Sequence, residues 1–288
     1  MPPGTIAIVL VAAVAHAVWN TVSKGKRGDT VRFVWAYTAL SAVLCLATVA
    51  VWSAVRHPPD VGYTLVLAVA VSGVLHVAYS LTLQIGYDHS PLGVVYPIAR
   101  GTGPVLTTLC AVLFLGQAIS RTETLGAALV IAGVVVVTGN PFRTSTRGRL
   151  RGVLWGTATG VMIAAYTLWD AHAMTNLRVD PLTYFSGTLV VETLLLAPQA
   201  LRRGAAPVME SVRQNAPLIP AIAVLSPVAY VLVLFAMRSA PVAVVAPLRE
   251  SSIVLGSFLA WWLFHEGLLA RRLVGAAVVL AGIAAISA

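Results

Sequence analysis

Charge is scarce in this sequence. Lys, Arg, Asp and Glu supply 10% of its 288 residues, where a soluble globular domain carries roughly 25%. Hydrophobic residues supply 58%, and the mean hydropathy is +0.88. Such values exclude an ordinary water-soluble domain and predict a membrane protein. Cysteine is almost absent as well. Cys45 and Cys110 stand in apolar runs, with no CxxC and no Cys/His spacing. Neither a disulfide framework nor a metal site is indicated, and both read as small buried hydrophobes. No glycine row follows a strand, which excludes a nucleotide fingerprint. Without a phosphate-binding loop, ATP is not expected to drive the protein directly, and no cofactor is expected.

The charge that is present is basic, with a net value of +9. Nucleic acid is not the expected partner, because the Lys and Arg residues form no single face or tail. They sit in short clusters between apolar runs, as loops beside anionic lipid do.

A crossing of the hydrocarbon core takes about 20 apolar residues. Cutting at charges, Pro and Gly predicts ten spans, near 4–22, 31–55, 62–86, 91–116, 124–139, 149–170, 181–201, 216–237, 241–264 and 271–287. Helices are the expected element, since backbone groups in lipid must be bonded within each segment and no alternating barrel pattern appears. The first span, with Ala15-His16-Ala17 near its end, resembles a signal peptide. No positive charge precedes it, so it is expected to be a retained transmembrane helix.

The sequence repeats itself. A shift of 150 lays Pro91 on Pro241, Val94-Val95 on Val244-Val245 and Pro97 on Pro247. It also lays His16, Trp19 and Asn20 on Tyr166, Trp169 and Asp170. A shift of 149 lays Arg100 on Arg249, Gln117 on Glu266, Gly126 on Gly275 and Gly133 on Gly282. Two units follow, 1–140 and 147–288, each of five helices. Five is odd, so the second must be inverted relative to the first. Inverted repeats are a common plan of secondary transporters, with a substrate site between halves near the midplane.

Loop charge predicts orientation. With both termini on one face, the opposite face carries Lys24, Lys26, Arg27, Arg32, Arg143, Arg147, Arg149, Arg151, Arg202, Arg203, Arg213, Arg271 and Arg272. The terminal face carries only Arg56, Arg121, Arg178 and Arg238. The positive-inside rule puts both termini outside the cell.

The paired Pro-x-x-x-x-x-Pro segments and the Glu266, Gly275, Gly282 ending resemble the EamA family of the drug/metabolite transporter superfamily. HAVWNTVSK (His16–Lys24) and YPIARGTGP (Tyr96–Pro104) are similar to one bacterial branch of it. The resemblance covers essentially the whole chain. It implies an all-α membrane protein of ten helices and a bacterial inner-membrane transporter of small molecules, not an enzyme. The family often has Glu after the fourth helix, where this chain has Gln117. Members are often drawn with cytoplasmic termini; the loop count of this sequence points the other way.

Two cations and three acids fall within spans. Arg100 lies about ten residues, roughly 15 Å, into helix four. Arg249 and Glu250 are equally deep in helix nine. A charge at bilayer centre costs at least about 2.5–3.5 kcal/mol. One reading is a cavity whose guanidinium groups grip an anionic part of a substrate by forked hydrogen bonds. The other is an ion-pair network locking the halves together, with Glu192 as a candidate partner. Arg249 and Glu250 point about 100° apart on an ideal helix, so they are not automatically a pair. Glu192 and Glu250 are proton-carrier candidates, and a neutral Glu192 bonded to a neighbouring helix is the alternative.

His16, Trp19 and Asn20 share one side of helix one, and Tyr166, Trp169 and Asp170 share one side of helix six. Both sets could line one path. Trp19 and Trp169 also read as interfacial anchors near the face opposite the termini. His76, Tyr79 and Tyr230 form a further polar-aromatic set, with a core role for His76 equally open, and Tyr96 is assigned to the same cavity. Pro97 and Pro247 bend their helices and read as hinges or as plain packing kinks. The row Gly148, Gly152, Gly156 and Gly160 reads as helix packing. Asp170, Glu192 and Glu250 fall on separate helices in no motif, which argues against an enzyme. The combined expectation is a secondary transporter of a small polar or amphipathic metabolite. A lipid-translocating or structural membrane subunit is the alternative.

Overall fold

The computed structural model describes residues 1–23, 25–55, 61–90, 92–138, 149–252, 254–255 and 270–287. Within them eleven helices form and no strand. They are α1 Pro3–Ser23, α2 Thr30–Val55, α3 Tyr63–His89, α4 Leu92–Leu113, α5 Arg121–Thr138, α6 Arg149–Thr175, α7 Pro181–Ala200, α8 Ala206–Gln214, α9 Leu218–Met237, α10 Val242–Arg249 and α11 Ala270–Ser287. Pro3–Ser23, Thr30–Val55, Tyr63–Leu83 and Leu218–Met237 are long and apolar enough to cross a bilayer; Ile98–Leu113 and Leu273–Ile286 are shorter apolar stretches.

Helix starts follow local chemistry. The Asp180 carboxylate accepts the Thr183 N–H at 2.8 Å with Pro181 in the first turn of α7, a side-chain cap with proline at the first helical position. At α5, Glu123 accepts the Ser120 N–H at 2.9 Å while the Ser120 hydroxyl accepts the Glu123 N–H at 3.1 Å. That reciprocal capping box satisfies two otherwise free donors.

The surface is inverted relative to a water-soluble protein. Val43 is 63% and Val51 67% exposed, while Asp170 is 0% and Glu250 1% exposed. Apolar side chains outside and charges inside are what lipid as solvent selects.

The expected spans and the observed helices differ in three places. Cutting at Asp170 ended the sixth span too early: α6 runs on to Thr175, because a buried, paired acid does not stop a helix. The ninth span does not run unbroken, since α10 ends at Arg249; residues 253 and 256–269 lie outside the described residues. The segment after α7, read as a loop, contains the short helix α8. The helix α8 is followed by buried Asn215, which accepts the Arg27 N–H at 2.8 Å and donates to the Arg27 carbonyl at 3.0 Å. That pair ties together two basic connections on one face. Cys45 is buried as expected; Cys110 is only partly so.

Packing repeats between the halves. The helix α1 lies on α9 as its equivalent α6 lies on α3, and α2 and α5 face their own equivalents, α7 and α11. The last pair meets on glycines. A Cβ at Gly126 would lie 2.7 Å from the Gly282 carbonyl oxygen, and one at Gly133 would lie 2.8 Å from that of Gly275. Gly126 is equivalent to Gly275 and Gly133 to Gly282, so the contact is crosswise between antiparallel helices. Such a self-complementary patch is what a two-fold relation produces. Glycine is required there because the backbones touch. Gly126→Leu is therefore expected to lower the thermal unfolding midpoint in detergent, with a loss of about 1–3 kcal/mol from overpacking. Gly4→Leu, where nothing lies within 4 Å of the added carbon, is expected not to lower it.

Candidate functional site

Two polar clusters occupy the interior, and helix packing explains where each points. On α4, Val95, Ile98 and Thr102 meet the glycines of α6. A Cβ at Gly156 would lie 2.9 Å from the Val95 carbonyl oxygen, and one at Gly160 2.7 Å from the Thr102 Cβ. The packing reading of those two glycines holds; Gly148 lies outside the described residues. Arg100, two residues from both Ile98 and Thr102, projects from the other side of α4, towards α10.

The helix α10 is braced by the first half. Pro247 cannot donate to the Ala243 carbonyl, and the Thr108 hydroxyl of α4 donates to that oxygen at 3.0 Å instead. Gln117 Oε1 accepts the Ala243 N–H at 3.3 Å. The amide at the position where the family often has Glu thus caps the start of α10. Past Pro247 the backbone tightens: Glu250 N–H reaches the Pro247 carbonyl at 3.0 Å and Ser251 N–H that of Leu248 at 3.2 Å. The side chains of Tyr96 and Pro97, and all of Glu266, lie outside the described residues.

At that break the first cluster forms. Arg100 Nη1 donates to Glu250 Oε2 at 3.3 Å, and Arg249 Nη2 donates to Glu250 Oε1 at 3.4 Å. One carboxylate bridges the repeat-equivalent arginines. Glu192, the partner considered for them in the sequence, is elsewhere. The two residues still follow one another on helical backbone, Glu250 being the C-cap of α10; it is the length of the Arg249 side chain that lets its Nη2 reach the neighbouring carboxylate. Arg249, at the negative end of α10, is also favoured by the helix dipole. His16 lies within electrostatic reach of both arginines. Its Nδ1 accepts the Trp19 indole N–H at 3.3 Å. His16 Nε2 and Arg249 Nε are buried without a hydrogen-bond partner among the described residues. Asn20 does not reach this space with its amide group: Nδ2 donates to the His16 carbonyl of its own helix at 2.7 Å.

The second cluster centres on Asp170. Its Oδ1 accepts the Ser72 hydroxyl at 2.8 Å and the Tyr184 hydroxyl at 2.6 Å. Its Oδ2 accepts the Tyr230 hydroxyl at 2.5 Å and lies 3.1 Å from His76 Nε2. The other ring nitrogen, Nδ1, lies 3.7 Å from Glu192 Oε1. Tyr166 leans on His76 with ring centroids 4.2 Å apart, and Tyr79 meets Tyr166 at 5.4 Å. Arg249 lies within electrostatic reach of Tyr166, Tyr230 and His76, so the clusters adjoin.

Most sequence-assigned residues therefore converge, but Trp169 does not join the same end as Trp19. Its indole donates to the Ala68 carbonyl at 2.9 Å. Thr5 bonds Ser239 and Gln117 bonds Ala243, so the start of α1 and the connection after α4 share one end. Trp169 lies at that end beside Phe114 and Leu115, opposite Trp19, as inversion requires. Ser72 and Tyr184 were missed. Ser72, His76 and Tyr79 stand four and three residues apart, a readable helix face. Nothing local marks Tyr184 as a partner of Asp170.

A helical bundle with apolar spans and paired interior charges has the architecture of a multi-pass membrane protein. The chain belongs to the EamA-like transporter family, whose model matches it twice, over residues 4–139 and 150–288. Over 47 residues it is 47% identical to a multidrug transporter of Pseudomonas aeruginosa. That stretch covers 16% of this chain and 43% of the relative, so the match spans less than half of the relative's length. One solved crystal structure superposes with a TM-score of 0.79 at 16% identity, over 99% of this chain and 96% of the other. That likeness is one of fold.

Proposed function

We infer that the protein is a secondary transporter that exports a small polar or amphipathic metabolite, amino-acid-like or drug-like, across the bacterial inner membrane. Ten crossing segments in two inverted repeats would alternate access by rocking one repeat against the other. The observation that carries this reading is the meeting of Arg100, Arg249 and Glu250 between the halves, next to His16 and Arg249 nitrogens that have no partner among the described residues. Buried donors without acceptors suit a guest that supplies them. Family membership and the name of the Pseudomonas relative support transport.

In this account the bridging carboxylate holds the cations when the site is empty. An anionic group of the substrate competes with it for the guanidinium forks. Rearrangement of the Arg100 contact, which crosses from one repeat to the other, would then link binding to movement of the halves. The aromatic set His76, Tyr79, Tyr166 and Tyr230 offers faces to the apolar or cationic part of the guest.

A second reading, movement of lipid, is favoured by one observation. A groove of about 390 Å³ is lined by Leu75, Cys110, Phe114, Leu115, Ala165, Leu168, Trp169 and His172. Its nearly apolar wall suits an acyl chain. The charges lie elsewhere, so transport of a polar guest remains the principal reading.

Two tests follow. Cells producing Arg100→Ala at wild-type levels in the membrane are expected to lose at least about tenfold of the exported metabolites that wild-type producers release, the equivalent of about 1.4 kcal/mol. Profiling of the medium reads this, and export equal to wild type would reject the role of Arg100. For orientation, the basic face is taken as cytoplasmic and both termini as external. A cysteine placed at Arg203 should stay unlabelled by an impermeant thiol reagent on intact cells, and labelling before lysis would reverse the topology.

A further inference from the structure

The His76, Asp170 and Glu192 group is not used by the arginine site. Asp170 already receives three hydroxyl hydrogen bonds, from Ser72, Tyr184 and Tyr230. A carboxylate so surrounded by donors is held as the anion. It therefore accepts from His76 Nε2, which fixes that nitrogen as the protonated one and turns Nδ1 towards Glu192. Asp170 and Tyr184 are fully buried, whereas the His76 and Glu192 side chains each keep 12% exposure. The pair keeps some accessible surface; its anchor has none.

We propose that His76 and Glu192 form a binding site for one exchangeable proton, positioned by Asp170, and that Glu250 is not a proton carrier. The proton rests on Glu192 Oε1, which faces the Nδ1 of a neutral imidazole across 3.7 Å. The pair then holds one proton beyond the one on Nε2. Its departure to water leaves the Glu192 carboxylate facing the Nδ1 lone pair. That repulsion is relieved by a proton or by a cationic group of a guest, so the two compete for one place.

The surrounding charges agree with a single site. Facing His76 are the rings of Tyr166 from α6 and Tyr230 from α9, with Arg249 of α10 in electrostatic reach of His76. Tyr37 of α2 lies within reach of Glu192. Glu250, by contrast, is bridged to Arg100 and Arg249, and protonating it would strip two buried guanidinium groups of their shared partner. Coupling of this proton to export rests on the transport reading; the site itself does not.

Infrared difference spectroscopy of the reconstituted full chain, titrated in pH with no substrate present, tests the proposal. The wild type should show a titrating protonated-carboxyl C=O band. Glu192→Gln should abolish it, His76→Gln should shift its frequency and its midpoint, and Glu250→Gln should leave it in place. Glu192→Asp, which keeps a carboxyl group, should retain a displaced band and guards against a folding defect in Glu192→Gln. A band that survives Glu192→Gln, or one that Glu250→Gln removes, would overturn the assignment. A Glu192 band in a protein that exports nothing would keep the proton site and reject transport; export with no such band would do the reverse.

Discussion

The structure depends on how it holds positive charge in the interior of a bundle whose outer surface is apolar. Arg100 and Arg249 are permanent cations, and their burial costs several kcal/mol each unless compensated. Compensation comes from Glu250, one oxygen to each guanidinium. That carboxylate stands at the end of α10, on the C-cap residue that follows Arg249. For α10 to stop there and still be anchored, the first half must satisfy its loose backbone groups, which Thr108 and Gln117 do. The close approach of α4 to α6 on Gly156 and Gly160 aims Arg100 at the same point. Sequence, helix break, packing and charge thus converge on one contact between the repeats.

The second polar group follows a different logic. Asp170 is saturated by hydroxyl donors from three helices, α3, α7 and α9, and so acts as a fixed anion. Fixed, it orients His76, and His76 in turn presents a single nitrogen to Glu192. The arginine group offers Arg249 Nε, a donor with no partner among the described residues; the histidine group, on the proposal above, has a place for one proton or one cation. A bilayer-embedded protein with both, separated by tyrosine rings, is suited to a guest with unlike ends. A clamp for the anionic end alone would not need the histidine side.

Much of this was legible in the sequence where a signal is repeated or periodic. The 150-residue offset exposed the two units, and the equivalent glycines then turned up in crosswise contact on α5 and α11. Arg100 and Arg249 stood out because charge is so rare in these runs. What could not be read depends on tertiary contact. The divergence of Arg249 and Glu250 on an ideal helix hid their pairing, since the letters VVAPLRESS do not show where a long, flexible side chain turns. Cutting spans at charges shortened α6 at Asp170, because a paired acid looks like a loop acid from its letters alone. Tyr184 sits in the first turn of α7 with no pattern to mark it. The short helix α8 was missed because its nine residues, APVMESVRQ, are too few and too polar to read as a span.

The central claim is that Glu250 holds Arg100 across the two halves. A double-mutant cycle on purified protein measures it directly, with Arg100→Gln, Glu250→Gln and the pair compared by unfolding in one detergent. The account predicts that the double substitution costs less than the sum of the singles, with a coupling of about 0.5–3 kcal/mol. Strict additivity would show that the two side chains do not depend on each other and would contradict it.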